Sequence, residues 1–256
     1  MAVQTARKKS TKKKTTKKVA KKTGKDAENK TIEIIKPDWV YYIIHIIGLS
    51  PLITHRFGAA AQRKILDNQM NVSRPKRGLR EPIQEYMESL YVVPGREKWK
   101  DNKPGKFGLA GHAFKQACVG AARYVEGLNM TYARGCFFVE DDVVGIENMT
   151  PYNRQDVVRL PSSKSADIRF RGCFPAEWEA NIVMSIDKSI IDEISVFNLL
   201  YRAGMSVGVG DWRPSCNGMM GRFEPVSMKH TKAPKKRLFS RNEAFPIIYK
   251  KGSGRK

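Results

Sequence analysis

Positive charge is concentrated at the two ends of this chain, and that distribution limits the part that can fold to its middle. Residues 1–30 carry a net charge of +10 and residues 227–256 a net +9, whereas the segment between them carries only +3 of the total of +22. A lysine-rich segment with few apolar side chains cannot bury enough surface to offset the entropy lost on ordering. We therefore predict a disordered basic tail over 1–30, a folded body over 31–226 and a basic C-terminal tail over 227–256.

The body has the composition of a globular protein. The chain has 256 residues, of which 41% are apolar and 9% aromatic, and one hydrophobic core is sustainable up to about 250–300 residues. It has no run of about 18 uncharged apolar residues, which argues against a membrane span, and no apolar segment near its start, so we expect a cytoplasmic protein. We expect free thiols and no metal or cofactor, since no short zinc or redox spacing is present among Cys118, Cys136, Cys173 and Cys216.

Strongly patterned segments define the expected fold. Residues 39–47 are a run of β-branched and aromatic side chains, which predicts a buried central strand. A helix is predicted over about 111–126, and the alternation over 178–187 predicts a half-buried strand. This order predicts an α+β fold of the ferredoxin-like or RRM-like split βαβ type, with an insertion lobe around 70–175.

The last predicted helix is the best marked of the chain. Ser189 has the side chain of a good N-cap, and Gly204 supplies the stop. A strand over 221–226 is expected to close the body. The predicted buried face of the helix consists of the apolar residues Ile190, Ile194, Phe197 and Tyr201.

The glycine-rich segment over 204–223 is the most unusual part of the sequence. Its glycines follow a helix and precede a strand, the reverse of a Rossmann or P-loop phosphate cradle, so we exclude those sites. Glycine allows one backbone to approach another closely. Trp212 is expected to offer a stacking face, and Arg213 and Arg222 to bind phosphate or carboxylate. Turn chemistry without any ligand is the alternative.

This segment, with the order of elements over 39–226, resembles the RAMP superfamily of ferredoxin-like, RRM-like proteins. The matching residues are 206–210 and 221–223. The Gly-Val-Gly-acid-Trp-Arg-Pro signature of residues 208–214 also resembles phage and prophage proteins of unassigned role. The resemblance is to the guide-RNA-binding backbone subunits of CRISPR effector complexes, and it implies RNA binding and side-by-side assembly. The implied partners are RNA or single-stranded DNA within a homo-oligomer or a multi-subunit ribonucleoprotein. The basic tails leave the choice of nucleic acid open.

Arginines interleaved with aromatic residues extend the candidate interface beyond the glycine segment. Arginine grips phosphate in a bidentate manner, and aromatic side chains stack on unpaired bases. Ordinary surface arginines are the alternative. The predicted nucleic-acid contacts are Arg56, Arg74, Lys76, Arg77, Arg169, Arg171, Gly208, Gly210, Trp212, Arg213 and Arg222.

No catalytic centre is recognisable in the sequence. His55 is the one weak candidate, because some RAMP endoribonucleases place a general-base histidine near this position, but its acid partner is not identifiable. The carboxylates of Glu140, Asp141 and Asp142 suit a hard cation, yet consecutive residues of a strand point to opposite faces, so we expect no metal site there.

Three hypotheses about function follow from the sequence. The first is a non-catalytic protein that binds single-stranded nucleic acid, RNA in the first instance, and assembles along the strand. The second is a metal-independent endoribonuclease with His55 as the base. The third is a histone-like architectural protein that coats DNA, in which the tails bind and the body only dimerises.

Overall fold

A computed structural model of the chain describes residues 35–71, 79–96, 103–159 and 166–233. From Lys36 onward these residues belong to one compact unit. No helix within these ranges is long and apolar enough to cross a membrane. The predicted tail over 1–30 lies outside the described residues.

The described residues form ten strands and five α-helices. The strands are β1 (Trp39–Gly48), β2 (Leu52–Thr54), β3 (Tyr91–Val92), β4 (Phe107–Ala110), β5 (Phe137–Val139), β6 (Val143–Gly145), β7 (Tyr152–Arg159), β8 (Ala166–Phe174), β9 (Glu179–Asp187) and β10 (Phe223–Thr231). The α-helices are α1 (Ala59–Gln69), α2 (Pro82–Glu88), α3 (Gly111–Ala121), α4 (Met130–Gly135) and α5 (Glu193–Arg202).

A four-stranded antiparallel sheet in the order β10-β1-β9-β5 forms the centre of the unit. Within it β1 is a central strand, as its run of β-branched residues predicted. The sequence of elements β1, α3, β5, β9, α5, β10 is that of a split βαβ unit. The predicted α+β fold is confirmed.

The core lies between one face of this sheet and the helices α3 and α5. Alternate residues of β1 and β9, such as Ile44, Ile182 and Met184, are fully buried in the same apolar cluster as Phe114 of α3 and Leu200 of α5. This arrangement follows from the period of two in a strand, which sends every second side chain toward the helices.

The segments between β1 and β9 build two further antiparallel sheets of three strands, β2-β8-β7 and β3-β4-β6. Strands β7 and β8 form a hairpin in which Arg154 lies opposite Arg171 and Asp156 opposite Arg169. The short strand β2 pairs with the other edge of β8, with Thr54 opposite Gly172. The elements of the expected insertion therefore belong to the same compact unit as the central sheet.

The start of α5 differs from the prediction. Asp192, not Ser189, caps the helix, because its Oδ1 accepts a hydrogen bond of 2.9 Å from the backbone N–H of Ser195. Ser189 instead donates to the carboxylate of Asp187 at the end of β9. The carboxylate of Asp192 accepts from both the backbone N–H and the hydroxyl of Ser195, so it satisfies one of the free N–H groups of the first turn.

Of the four residues predicted for the buried face of α5, Phe197 is partly buried against the core, but Ile190, Ile194 and Tyr201 are exposed. The helix buries Val196, Leu199 and Leu200 against the core, while Ile194 is 70% exposed and Tyr201 47% exposed. Both stripes of the helix are apolar, so periodicity alone did not distinguish the inward face from the outward one. The helix therefore presents an apolar face to solvent.

The end of the body also lies further along the chain than predicted. Strand β10 continues to Thr231, beyond the expected boundary after Val226, and pairs with β1 over its whole length. A β-bulge between His45 and Ile46 shifts the register of this pair. Residues 227–231 are thus part of the sheet and not of a tail, and residues 234–256 lie outside the described residues.

Candidate nucleic-acid interface

The glycine-rich loop between α5 and β10 packs its backbone against β2. Gly210 has a φ of +75°, and a Cβ atom there would lie 2.5 Å from the carbonyl oxygen of Ile53. The next residue, Asp211, donates its backbone N–H to the same carbonyl at 3.0 Å, and Gly221 donates to Pro51 at 2.8 Å. The close backbone approach expected for these glycines is therefore made within the protein.

Gly208 is also committed to the fold. It is buried with a φ of +69°, and a Cβ atom there would lie 2.6 Å from Cδ of Pro214. The missing side chain of Gly208 therefore allows the loop to fold against its own Pro214, and that of Gly210 allows the loop to pack on β2. Direct nucleic-acid contact by these two glycines stays a prediction.

This tight loop holds Trp212 in a left-handed backbone conformation with a φ of +55°. Such a conformation costs a non-glycine residue about 1–2 kcal/mol, and it persists only where the surroundings enforce it. Here the Trp212 carbonyl accepts a 2.9 Å hydrogen bond from the backbone of Met220, and Gly218 packs directly against that carbonyl. The indole remains 37% exposed.

Two guanidinium groups lie against the indole ring. The Cζ atom of Arg171 is 4.9 Å and that of Arg154 is 5.4 Å from the centroid of the Trp212 ring. Both arginines come from the β7–β8 hairpin, where they face each other across the strands. These distances lie within the range of cation–π attraction, which fixes the orientation of the ring.

The same arginines are held by two carboxylates. Arg171 donates Nη2 to Oδ2 of Asp156 and Nη1 to Oδ2 of Asp211, each at 2.7 Å. Arg154 donates Nε to Oδ1 of Asp156 at 2.9 Å. The Arg171 side chain is only 2% exposed. Direct phosphate contact by Arg171, as predicted from the sequence, is therefore replaced by a structural role under the indole of Trp212.

His55 completes this network from the loop that follows β2. Its Nδ1 lies 3.1 Å from Oδ2 of Asp211. Burial acts to raise the pKa of the Asp211 carboxyl, but hydrogen bonds from His55 and Arg171, and then their positive charge, outweigh it and hold that pKa below its ordinary value. The ionised carboxylate can only accept, so Nδ1 of His55 carries the hydrogen of this bond and Nε2 is left for another partner.

The other predicted contacts are arranged in different ways. Arg213 is turned back onto its own loop, where it donates Nη1 to the Gly210 carbonyl at 2.9 Å and Nε to Ser215 Oγ at 3.0 Å. Arg222 is half-buried, and its Nε is buried without a hydrogen-bond partner in the described part of the chain. Neither arginine presents its whole guanidinium to solvent.

Arg56 and Arg169 lie nearer the surface. The backbone N–H of Arg56 donates a hydrogen bond to the carbonyl of Ser89. The side chain of Arg56 is exposed, and this residue directly follows His55 in the sequence. Arg169 lies 3.8 Å from Asp167 and is partly exposed. The remaining predicted contacts, Arg74, Lys76 and Arg77, lie outside the described residues.

Comparison with known proteins finds similarity to solved structures. No protein-family model matches the chain, and no curated protein matches its sequence. The fold is similar to that of Cmr6 from Pyrococcus furiosus, with 10% sequence identity and a TM-score of 0.38. The match covers 74% of this chain and 99% of that one.

Sequence reasoning missed the carboxylates that organise the site. Asp156 and Asp211 were not predicted as site residues, although they hold both arginines. Arg154, Asp156, Arg169 and Arg171 alternate with uncharged residues along two neighbouring strands, which was an available signal for a charged hairpin face. Within the described ranges no cluster of three or more histidine, cysteine or carboxylate side chains is arranged to hold a metal ion.

Proposed function

We propose that this chain binds single-stranded nucleic acid, RNA in the first instance, without cleaving it, and assembles along the strand. The observation that carries the proposal is the indole of Trp212, which is exposed to solvent and backed by the guanidinium groups of Arg154 and Arg171. An unpaired base stacks on such a ring, and the stacking tolerates any base because each has a π face.

The network beneath Trp212 supports this function because it fixes the ring before any ligand arrives. A side chain that is already held in place loses little conformational entropy on binding. The exposed Arg56 and His55 at the end of β2 lie on the loop next to this network and suit the phosphates on either side of a stacked base.

The charge of the two ends of the chain complements this site. Residues 1–30 and 227–256 carry a net +10 and +9, and lysine contacts with phosphate release counterions regardless of sequence. We assign to these residues the non-specific part of the affinity and to Trp212 the recognition of unpaired bases.

Trp212→Ala tests the proposal. We expect binding of a fluorescently labelled single-stranded RNA to weaken by about 1–3 kcal/mol, the range for loss of one base-stacking side chain. Fluorescence anisotropy at ~150 mM salt measures the affinity where long-range attraction is largely screened. Trp212→Phe is expected to retain most of the affinity, because it keeps an aromatic face.

Met219→Ala is the matched control, since Met219 is an exposed apolar residue of the same loop. It is expected to bind as the wild type does. If Trp212→Ala also binds as tightly as the wild type while remaining folded, stacking at this site is refuted. The histone-like DNA-coating hypothesis then takes its place, because in that case only the basic ends bind.

The contact between His55 and Asp211 favours one second candidate, a metal-independent endoribonuclease. A carboxylate that orients one ring nitrogen of a histidine leaves the other poised as a general base. The residues bonded into this network provide no acid for the leaving group, since Asp211 and Asp156 are paired with arginine and Arg171 is buried.

We therefore expect no cleavage of single-stranded RNA by the wild type, in magnesium or in EDTA. Gel analysis of an end-labelled oligonucleotide under multiple-turnover conditions measures this. If the wild type and Trp212→Phe cleave the RNA with turnover in EDTA, and His55→Ala does not, the endoribonuclease would instead be established.

A further inference from the structure

Helix α5 carries a stripe of apolar side chains that the core does not cover. Ile194, Phe197 and Tyr201 are spaced by three and four positions, so they share one face of the helix. Ile194 is 70% exposed, Tyr201 is 47% exposed and Phe197 is partly buried. A continuous apolar stripe of this kind on the surface marks an interaction site.

A cleft between α5 and β10 lies at one end of this stripe. It has a volume of about 250 Å³ and is lined by Tyr42 of β1, by Glu193, Ile194 and Phe197 of α5, and by Met228 of β10. Except for the carboxylate of Glu193, these side chains are apolar or aromatic. The cleft therefore suits an apolar segment of polypeptide.

Helix α5 runs antiparallel to β10, and this direction places the end of the strand beside the cleft. Ile194, near the start of the helix, lines the cleft together with Met228. Gly204, just beyond the end of the helix, packs directly against the carbonyl of Phe223 at the start of the strand. Strand β10 ends at Thr231, three residues after Met228. The chain therefore leaves the sheet about 10 Å from the cleft, at about 3.3 Å per residue of strand.

An apolar pentad follows β10 along the chain at a separation that matches the cleft. Residues 245–249 read Phe-Pro-Ile-Ile-Tyr, and the connection 232–244 has 13 residues. A random-coil chain of that length has a root-mean-square end-to-end distance of about 20 Å. The span from Thr231 is about 10 Å to Met228 in the cleft, and about 10 Å more along α5 to Tyr201. The effective concentration of a tethered segment is highest when the length of its connection matches the span in this way.

Strand β10 also offers an unpaired edge beside the cleft. It is the outermost strand in the order β10-β1-β9-β5, and within the described ranges it pairs with β1 alone. An unpaired edge of a sheet accepts an extended segment as an additional strand. A segment that returns from Thr231 toward the cleft runs antiparallel to β10, which is the direction that a short connection between two strands allows.

We propose that residues 245–249 return from the end of β10 and occupy the cleft between α5 and β10 of the same chain. The pentad covers the exposed stripe of α5. The basic residues 235–237 and 250–251 on either side of it stay outside the cleft, so the contact is compatible with their assigned part in nucleic-acid binding. The proposal is independent of Trp212 and holds whether or not that residue binds a base.

Thiol–disulfide exchange within the full-length chain tests this contact. Of the four cysteines only Cys216 is exposed, so Cys216→Ser removes the background. Ala244→Cys places one thiol directly before the pentad, and Ile194→Cys places its partner in the cleft. In the matched control the partner is Asn198→Cys, which is exposed one turn further along α5 but lines the groove between α5 and the segment 125–128. The fraction oxidised at equilibrium in a glutathione buffer measures the effective concentration of each pair.

We expect the pair at Ile194 to have an effective concentration at least about tenfold above that of the pair at Asn198. The reason is that docking holds the two thiols within the Cα separation of about 7 Å that a disulfide requires. Adding Ile247→Lys is expected to lower the first value to the second, because an unpaired charge is costly to bury in an apolar cleft. The oxidised product is expected to keep the monomer mass of 29.0 kDa.

Two results would overturn the proposal. One is an effective concentration that is the same for both pairs, or that Ile247→Lys leaves unchanged. The other is a disulfide-linked dimer that forms with the Ile194 pair and not with the Asn198 pair, which would show that the pentad of a second copy occupies the cleft. Circular dichroism before oxidation verifies that each variant is folded.

Discussion

Replacing Arg171 with methionine is expected to lower the free energy of unfolding by about 3 kcal/mol. The guanidinium is buried and bonded to both Asp156 and Asp211. Removal of one partner from a buried ion pair costs about 3–5 kcal/mol, because a buried charge is left without compensation. The loss is expected at the lower end of this range, since Arg154 still pairs with Asp156 and His55 with Asp211.

Arg169→Met is the matched control for this prediction. Arg169 lies two residues away on the same face of β8, but it is partly exposed and 3.8 Å from Asp167. Exposed pairs of this kind contribute about 0–1 kcal/mol. Urea denaturation followed by fluorescence measures both variants. If Arg169→Met and Arg171→Met lower the free energy of unfolding by equally small amounts, the carboxylate network does not stabilise the fold.

The network also makes stability depend on pH in a defined direction. The pKa of Asp211 is lower in the folded protein than its ordinary value. The stability that Asp211 contributes is therefore present above its unfolded pKa and is lost as the pH falls through the folded one. In Arg171→Met one of the two hydrogen bonds that lower this pKa is gone, so the folded pKa lies closer to the unfolded one, and the acid-side loss is smaller and complete at a higher pH.

Gly210→Ala is expected to lower the free energy of unfolding by about 2–5 kcal/mol. The left-handed φ of +75° accounts for about 1–2 kcal/mol with any side chain. The added Cβ atom would lie 2.5 Å from the carbonyl oxygen of Ile53, and overpacking of this kind costs about 1–3 kcal/mol. The hydrogen bond from Asp211 to that carbonyl would be displaced as well.

Gly135→Ala is the control for this prediction, because no atom lies within 4 Å of a Cβ at Gly135 and its φ is not positive. It is expected to leave stability unchanged or to raise it slightly, since alanine favours the helical conformation at this last residue of α4. Thermal unfolding of the two variants compares them directly. A Gly210→Ala protein as stable as Gly135→Ala would refute the close packing of the loop on β2.

The elements predicted from the sequence are those with a long, regular pattern. Strand β1 is a run of β-branched and aromatic residues and β9 alternates clearly, so both were found and correctly placed in the sheet. Strands β2, β3 and β4 have two to four residues each, too few to show a period. Strand β7 was missed because its residues are mostly polar on both faces.

The site was predicted in part because its partners are far apart in sequence. Trp212 was singled out as a stacking face, and its ring is 37% exposed, whereas Arg171 was expected to contact nucleic acid and is buried. Its burial depends on Asp156, fifteen residues before it, and on Asp211, forty residues after it. Only the register of the β7–β8 hairpin and the packing of the glycine loop on β2 bring these charges together, and neither is encoded by a local pattern.

The charges beneath Trp212 cancel one another, and this balance separates two kinds of attraction in the proposed function. Arg154 and Arg171 are paired with Asp156 and Asp211, so these four charges beneath the indole sum to zero. A base that stacks on Trp212 displaces no counterions, whereas contacts between phosphates and the lysine-rich ends of the chain do. Rising ionic strength would therefore weaken the affinity for double-stranded competitors more than the affinity for unpaired bases.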